Sequence, residues 1–100
     1  MNFIGLDIGI SGVKGVLVDE HEKVLVWTGA PLSTARPRSG WYEQDPHDWW
    51  RATLATMTEL RARADAFSNA RAIGLSGQMH AAVLLDQDGR ILAPANCRAP

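Results

Sequence analysis

Cysteine is nearly missing from this sequence. Its single instance, Cys97, leaves no partner for an intrachain disulfide and no cysteine cage for zinc, which excludes a stapled secreted scaffold and fits a reducing compartment. An excess of one charge is missing too. Ten Lys and Arg face eleven Asp and Glu, so no field of one sign is available to hold nucleic acid or an anionic membrane. No uncharged apolar run approaches the ~20 residues that cross a bilayer. The first twenty residues carry Asp7, Lys14, Asp19 and Glu20 in place of a secretory leader's apolar middle, and a cytoplasmic location is expected. The three histidines, His21, His47 and His80, lack the spacing that sets two ligands on one helix face, and neither a GxSxG elbow nor a GK[ST] phosphate loop occurs.

What is present is a pattern of short elements in a chain sized for one domain or a piece of one. Phe3–Ile8 and Val13–Val18 are β-branched runs separated by GISG, and the polar stretch DEHEK leads to a third run from Val24 to about Thr28, extending toward Leu32. These read as a three-stranded meander. The segment STARPRSGWYEQDP has no sustained period and reads as a loop. Asp45 followed by Pro46 then starts a helix: a short side-chain acceptor for free N–H groups and a ring that presets φ. Trp50, Leu54, Met57, Leu60 and Ala64 recur at helical steps and predict the buried stripe, with Trp49 on its flank and an end near Ala66. Glu59 and Arg63 form a favourable pair four apart. Ala70–Leu75 reads as a buried strand, and Ala81–Leu85 with Asp88-Gly89 as a hairpin into Ile91 and Leu92. The order β-β-β-α-β predicts an α/β fold, a mixed sheet with a crossover helix on one face.

Two stretches can carry chemistry. In GLDIGISGVKG, Asp7 ends an apolar strand, where an unpaired carboxylate is expensive unless it faces a turn, a metal or solvent. Gly9 and Gly12 free the backbone so that N–H groups can converge on an anion, with the Ser11 hydroxyl and the Lys14 ammonium nearby. With a magnesium ion near Asp7 this is a phosphate site; without one it is a hairpin with an exposed Asp7 and Lys14. In GLSGQMHAAVLL a strand opens into Gln78, Met79 and His80. An amide and an imidazole at a strand tip can bind a polyol, with Met79 against its carbons; alternatively Met79 fills core and His80 is solvated. Of the four tryptophans, Trp27, Trp41, Trp49 and Trp50, only Trp41 falls in a loop, and Trp50 is expected in the core.

Taken in order, GLDIGISGVKGVLVDEHEKVL, GWYEQDPHDWW and AIGLSGQMHAAVLLDQDGRIL closely resemble the N-terminal end of the FGGY carbohydrate kinases, above all those acting on xylulose, from about Ile4 to Pro94. The resemblance implies an actin-like, ribonuclease-H-like ATPase domain with ATP and Mg2+ as cofactors. It implies that Asp7, Gly9, Ser11, Gly12 and Lys14 lie at the nucleotide phosphates, Asp7 meeting the metal through water. Gln78, Met79 and His80 would meet the sugar; in glycerol-directed members Arg-Glu follows the same Gln. The implied reaction is ATP plus D-xylulose giving ADP plus D-xylulose 5-phosphate, an in-line phosphoryl transfer. The partners implied are a ketopentose and ATP, without nucleic acid or membrane, and the full-length enzyme can be a homo-oligomer.

Two departures shape the expectation. Ile10 stands where the family usually has Thr or Ser, and after Ala93-Pro94 the chain reads ANCRAP in place of a segment of the type I-L-W-x-D-x-R. The resemblance also implies a catalytic aspartate well downstream. Residues 1–100 are therefore expected to be the first part of the family's N-terminal domain, inactive by themselves. The alternatives are a non-catalytic sugar- or protein-binding fragment, or a family member acting on ribulose, gluconate, fuculose or rhamnulose.

Overall fold

In a computed structural model, which describes residues 1–77 and 81–97, the chain folds around one helix laid across a four-stranded sheet. The strands are β1 (Asn2–Ile8), β2 (Gly12–Asp19), β3 (Val24–Pro31) and β5 (Ala70–Gly77), in the order β3-β2-β1-β5. The first three form the expected antiparallel meander, and β5 returns parallel to β1 after the helix α1 (Pro46–Arg63). A parallel return needs a crossover of this length, so the sheet is mixed.

Alternation along each strand sorts residues onto two faces. Ile4 and Leu6 of β1, Val13 and Leu17 of β2 and Val26 and Thr28 of β3 are buried on the face under α1. Leu17 and Leu60 are fully buried and anchor this core. The Thr28 hydroxyl donates to the Thr56 carbonyl at 3.0 Å, which satisfies a buried polar pair where helix meets strand.

The helix starts where its sequence signals lie. Asp45 caps it, its carboxylate accepting from the His47 N–H at 2.9 Å, and Pro46 opens the first turn. The Glu59–Arg63 pair forms at 3.7 Å. Of the expected stripe, Leu60 is fully buried and Met57 and Ala64 pack against the core, but Trp50 is 64% and Leu54 46% exposed, and Ala52 and Thr56 are buried in their place. The reason is the closeness of the sheet. A Cβ on Gly15 would lie 2.6 Å from Thr56 Cγ2 and 3.0 Å from a Leu60 methyl, so α1 crosses β2 where neither partner has bulk to spare. Small residues fill the middle of that contact and the tryptophan is turned outward. The helix also stops at Arg63, short of Ala66; Ala64 is extended and a 3-10 turn covers Asp65–Asn69.

The irregular segments also depart from the expected pattern. Tyr42–Gln44, within the segment expected to be loop, forms β4 and pairs antiparallel with β6 (Ala95–Cys97) in a second, two-stranded sheet. The expected hairpin around Asp88-Gly89 keeps its turn, with Gly89 at φ 81° and Leu92 N–H donating to the Leu84 carbonyl, but its arms meet at an isolated bridge, Leu85 to Ile91. Among the described residues no helix is long and apolar enough to cross a membrane.

Candidate functional site

The site is built by register. β1 and β5 carry nearly the same four residues, Ile4-Gly5-Leu6-Asp7 and Ile73-Gly74-Leu75-Ser76, and lie side by side in phase, so that Asp7 stands next to Ser76. On the other side of β1, Asp7 faces Lys14 of β2. Paired positions share a face, so carboxylate, hydroxyl and ammonium all project from the face opposite α1. The Ser76 hydroxyl donates to Asp7 Oδ1 at 2.8 Å. Gly5 and Gly74 leave the sheet bare beside them, and with Trp27, which is 67% exposed, they line a trough of about 540 Å³.

Between β1 and β2 the backbone makes a tight turn. Gly9 N–H donates to the Gly12 carbonyl at 2.9 Å. The Ile10 carbonyl is gripped from the protein side by Gln44 Nε2 at 2.6 Å, and the Ser11 carbonyl by Leu32 N–H at 3.1 Å. In a trans peptide, C=O and the following N–H point in opposite directions. With the Ile10 oxygen drawn inward, the Ser11 N–H is aimed outward, and it donates to no protein acceptor among the described residues. An exposed donor beside the Ser11 hydroxyl suits an anion. Gly12 is required for a reason other than the backbone freedom expected of it. Its φ is not positive, but a Cβ there would sit 2.8 Å from the Ala30 carbonyl oxygen of β3.

The turn end of the sheet also opens on a smaller cavity of about 240 Å³ lined by Ile8, Trp49, Gly77, Ala81 and Val83. Gly77 and Ala81 bracket Gln78, Met79 and His80 in sequence; those three residues, expected at the sugar, lie outside the described residues. Trp49 is half-buried here, its indole N–H donating to Gln44 Oε1 at 2.8 Å.

The structure thus brings Asp7, Gly9, Ser11, Gly12 and Lys14 to one end of the sheet. It adds two residues that sequence reasoning passed over. Ser76 was signalled by the repeated IGL[DS], whose meaning depends on knowing that the two copies pair. Gln44 gave no signal, because its role is to hold a backbone carbonyl. Among the described residues no group of three or more His, Cys, Asp or Glu side chains is close enough to hold a metal by itself. An ion at Asp7 would have to complete its shell with water and phosphate oxygens, as Mg2+ commonly does.

Comparison with known proteins shows the family and the fold. Residues 2–98 match the N-terminal domain of the FGGY family of carbohydrate kinases. A xylulose kinase of Klebsiella pneumoniae is 42% identical over 93 residues, 93% of this chain and 19% of that protein. The crystal structure of xylulose kinase from Rhodospirillum rubrum superposes with a TM-score of 0.89 at 34% identity, covering 97% of this chain and 20% of that one. A glycerol kinase of Verminephrobacter eiseniae is 37% identical over 82 residues, 81% of this chain and 16% of that protein. The chain spans about a fifth of the length of the xylulose kinases it matches. The mixed sheet with its crossover helix is the beginning of the actin-like ATPase fold.

Proposed function

This chain belongs to the FGGY family of carbohydrate kinases, and we propose that it supplies the phosphate-facing and sugar-facing edge of an enzyme that transfers the γ-phosphoryl group of ATP to D-xylulose in the cytoplasm. The observation that carries this reading is the register that sets Asp7 and Ser76 on one face, beside a turn whose Ile10 carbonyl is held by the buried Gln44, so that peptide geometry directs the Ser11 N–H the opposite way. Phosphoryl transfer asks mainly for positioning and charge neutralisation. The turn offers an N–H and a hydroxyl at Ser11 to phosphate oxygens, and Lys14 adds a cation on the same face as Asp7. The Asp7 carboxylate, exposed and oriented by Ser76, suits a hydrated Mg2+, which uses one or two carboxylates with phosphate and water and supplies neutralisation of phosphate charge. Gln78, Met79 and His80 are proposed to contact the ketopentose. None of the aspartates of this chain is assigned as general base; the resemblance places that group in the remaining length of the relatives.

A second reading, a family member acting on another polyol, is supported by the glycerol kinase match. Both readings meet one test. Residues 1–97 replace the matching segment of a full-length xylulose kinase, and ATP- and magnesium-dependent turnover is measured side by side on D-xylulose, D-ribulose, gluconate and glycerol. Preference for D-xylulose is expected. Preference for another of these substrates would transfer the assignment to it, and absence of turnover on all four would remove the kinase reading.

A further inference from the structure

Gln44 is 3% exposed, and its side-chain amide is fully occupied. Nε2 donates to the Ile10 carbonyl at 2.6 Å and to Thr34 Oγ1 at 3.0 Å, while Oε1 accepts from the Trp49 indole at 2.8 Å. The Cys97 thiol lies 4.0 Å from the same oxygen. An indole N–H can only donate, so Trp49 fixes which end of the amide is oxygen and thereby turns Nε2 toward Ile10. The side chain ties together four separate parts of the chain: the β1–β2 turn, the loop after β3, the first turns of α1, and β6.

Most of these bonds join scaffold to scaffold; the one to Ile10 does something else. The Ile10–Ser11 peptide has two orientations, one presenting its N–H to the open side of the turn and one presenting its carbonyl oxygen. The second would set a partial negative charge against an anion. We infer that Gln44 is a positioning residue that latches this peptide plane so that the Ser11 N–H, and not the Ile10 oxygen, faces the phosphates of the nucleotide. The inference rests on the proposal that this turn holds those phosphates. Only an amide serves. A carboxylate of the same shape keeps the Trp49 bond and places an acceptor against the Ile10 carbonyl, and a thioether of similar length fills the space but bonds to neither.

The test uses the full-length chimera carrying Gln44→Met and Gln44→Glu. KM for ATP should rise by about tenfold or more in both, with KM for the sugar within about threefold, since the latch acts on the phosphate side. Trp49→Phe, which removes the donor that orients the amide but keeps Nε2, should show a smaller rise of the same kind. Amide exchange in the peptide containing residues 9–12 should quicken about tenfold in Gln44→Met while that of β2 and α1 stays as in the parent. Equal increases in KM for both substrates, or unchanged exchange at residues 9–12 in a folded variant, would overturn the latch. If the parent chimera phosphorylates nothing, the proposed function falls, and the exchange experiment still decides the latch.

Discussion

Each end of β2 is flanked by a turn with an aspartate beside it, and the two aspartates are used in opposite ways. Asp19 closes its own turn: Oδ1 accepts from the N–H groups of His21 at 2.8 Å and Lys23 at 2.9 Å. Asp86 does the same further on, accepting from Asp88 and Arg90 at 2.8 and 2.9 Å. Asp7 contributes nothing to closing the turn that follows it. That turn is closed by Gly9 and Gly12 and held from behind by Gln44, and Asp7 instead accepts from Ser76, 69 residues away. A carboxylate satisfied by its nearest backbone N–H groups is structural. One whose turn closes without it, and which a distant strand orients outward, is available to a ligand.

The two turns should differ most in their response to substitution at Asp7. Asp7→Asn in the chimera should lower kcat/KM by about 100-fold or more, the scale of losing one preorganised electrostatic group, with little change in melting temperature; a coupled ADP-release assay and a thermal melt check both halves. Gly12→Ala comes next. The added methyl meets the Ala30 carbonyl oxygen, so the turn and β3 must separate, and urea unfolding should show a loss of about 1–3 kcal/mol.

Asp19 gives a smaller, pH-dependent effect. The backbone N–H of Lys23, first among several causes, holds its carboxyl below the usual range. A depressed carboxylate stabilises the fold above its unfolded pKa of about 3.9, and that contribution is lost as pH falls through the lower folded value. Asp19→Asn keeps an acceptor and loses the charge, so the difference in melting temperature between parent and variant should be constant at neutral pH and shrink below about pH 4. The smallest effect is expected at Glu22, which holds φ 65° in the same turn where Gly89 occupies the matching place in the other. Glu22→Gly removes left-handed strain of about 1–2 kcal/mol and adds unfolded-state entropy of similar size, so thermal melts should shift by the equivalent of less than about 1 kcal/mol.

Strand identity, the helix start and the polar turns were legible because local chemistry decides them: β-branched runs, an Asp-Pro cap, Asp-led turns. The helix face was legible at Met57, Leu60 and Ala64 but not at Trp50 and Leu54, because the close approach of Thr56 and Leu60 to Gly15 turns the helix so that Ala52 and Thr56 are buried in their place. Strands β4 and β6 were invisible because three residues carry no period and find their partner about fifty positions away. In the candidate site, the residues on the β1–β2 turn could be found from one stretch. Ser76 and Gln44 could not, since one depends on the register of a parallel pair and the other on a bond to main chain, which leaves no side-chain pattern.

The most direct test of the contrast between the two turns is protection by nucleotide. Amide exchange of the full-length chimera, measured with and without magnesium and ATP, should slow in the peptide covering residues 8–13 and remain unchanged in the peptide covering 19–23. Equal protection of both, or protection confined to residues 19–23, would contradict the assignment of the β1–β2 turn as the phosphate site.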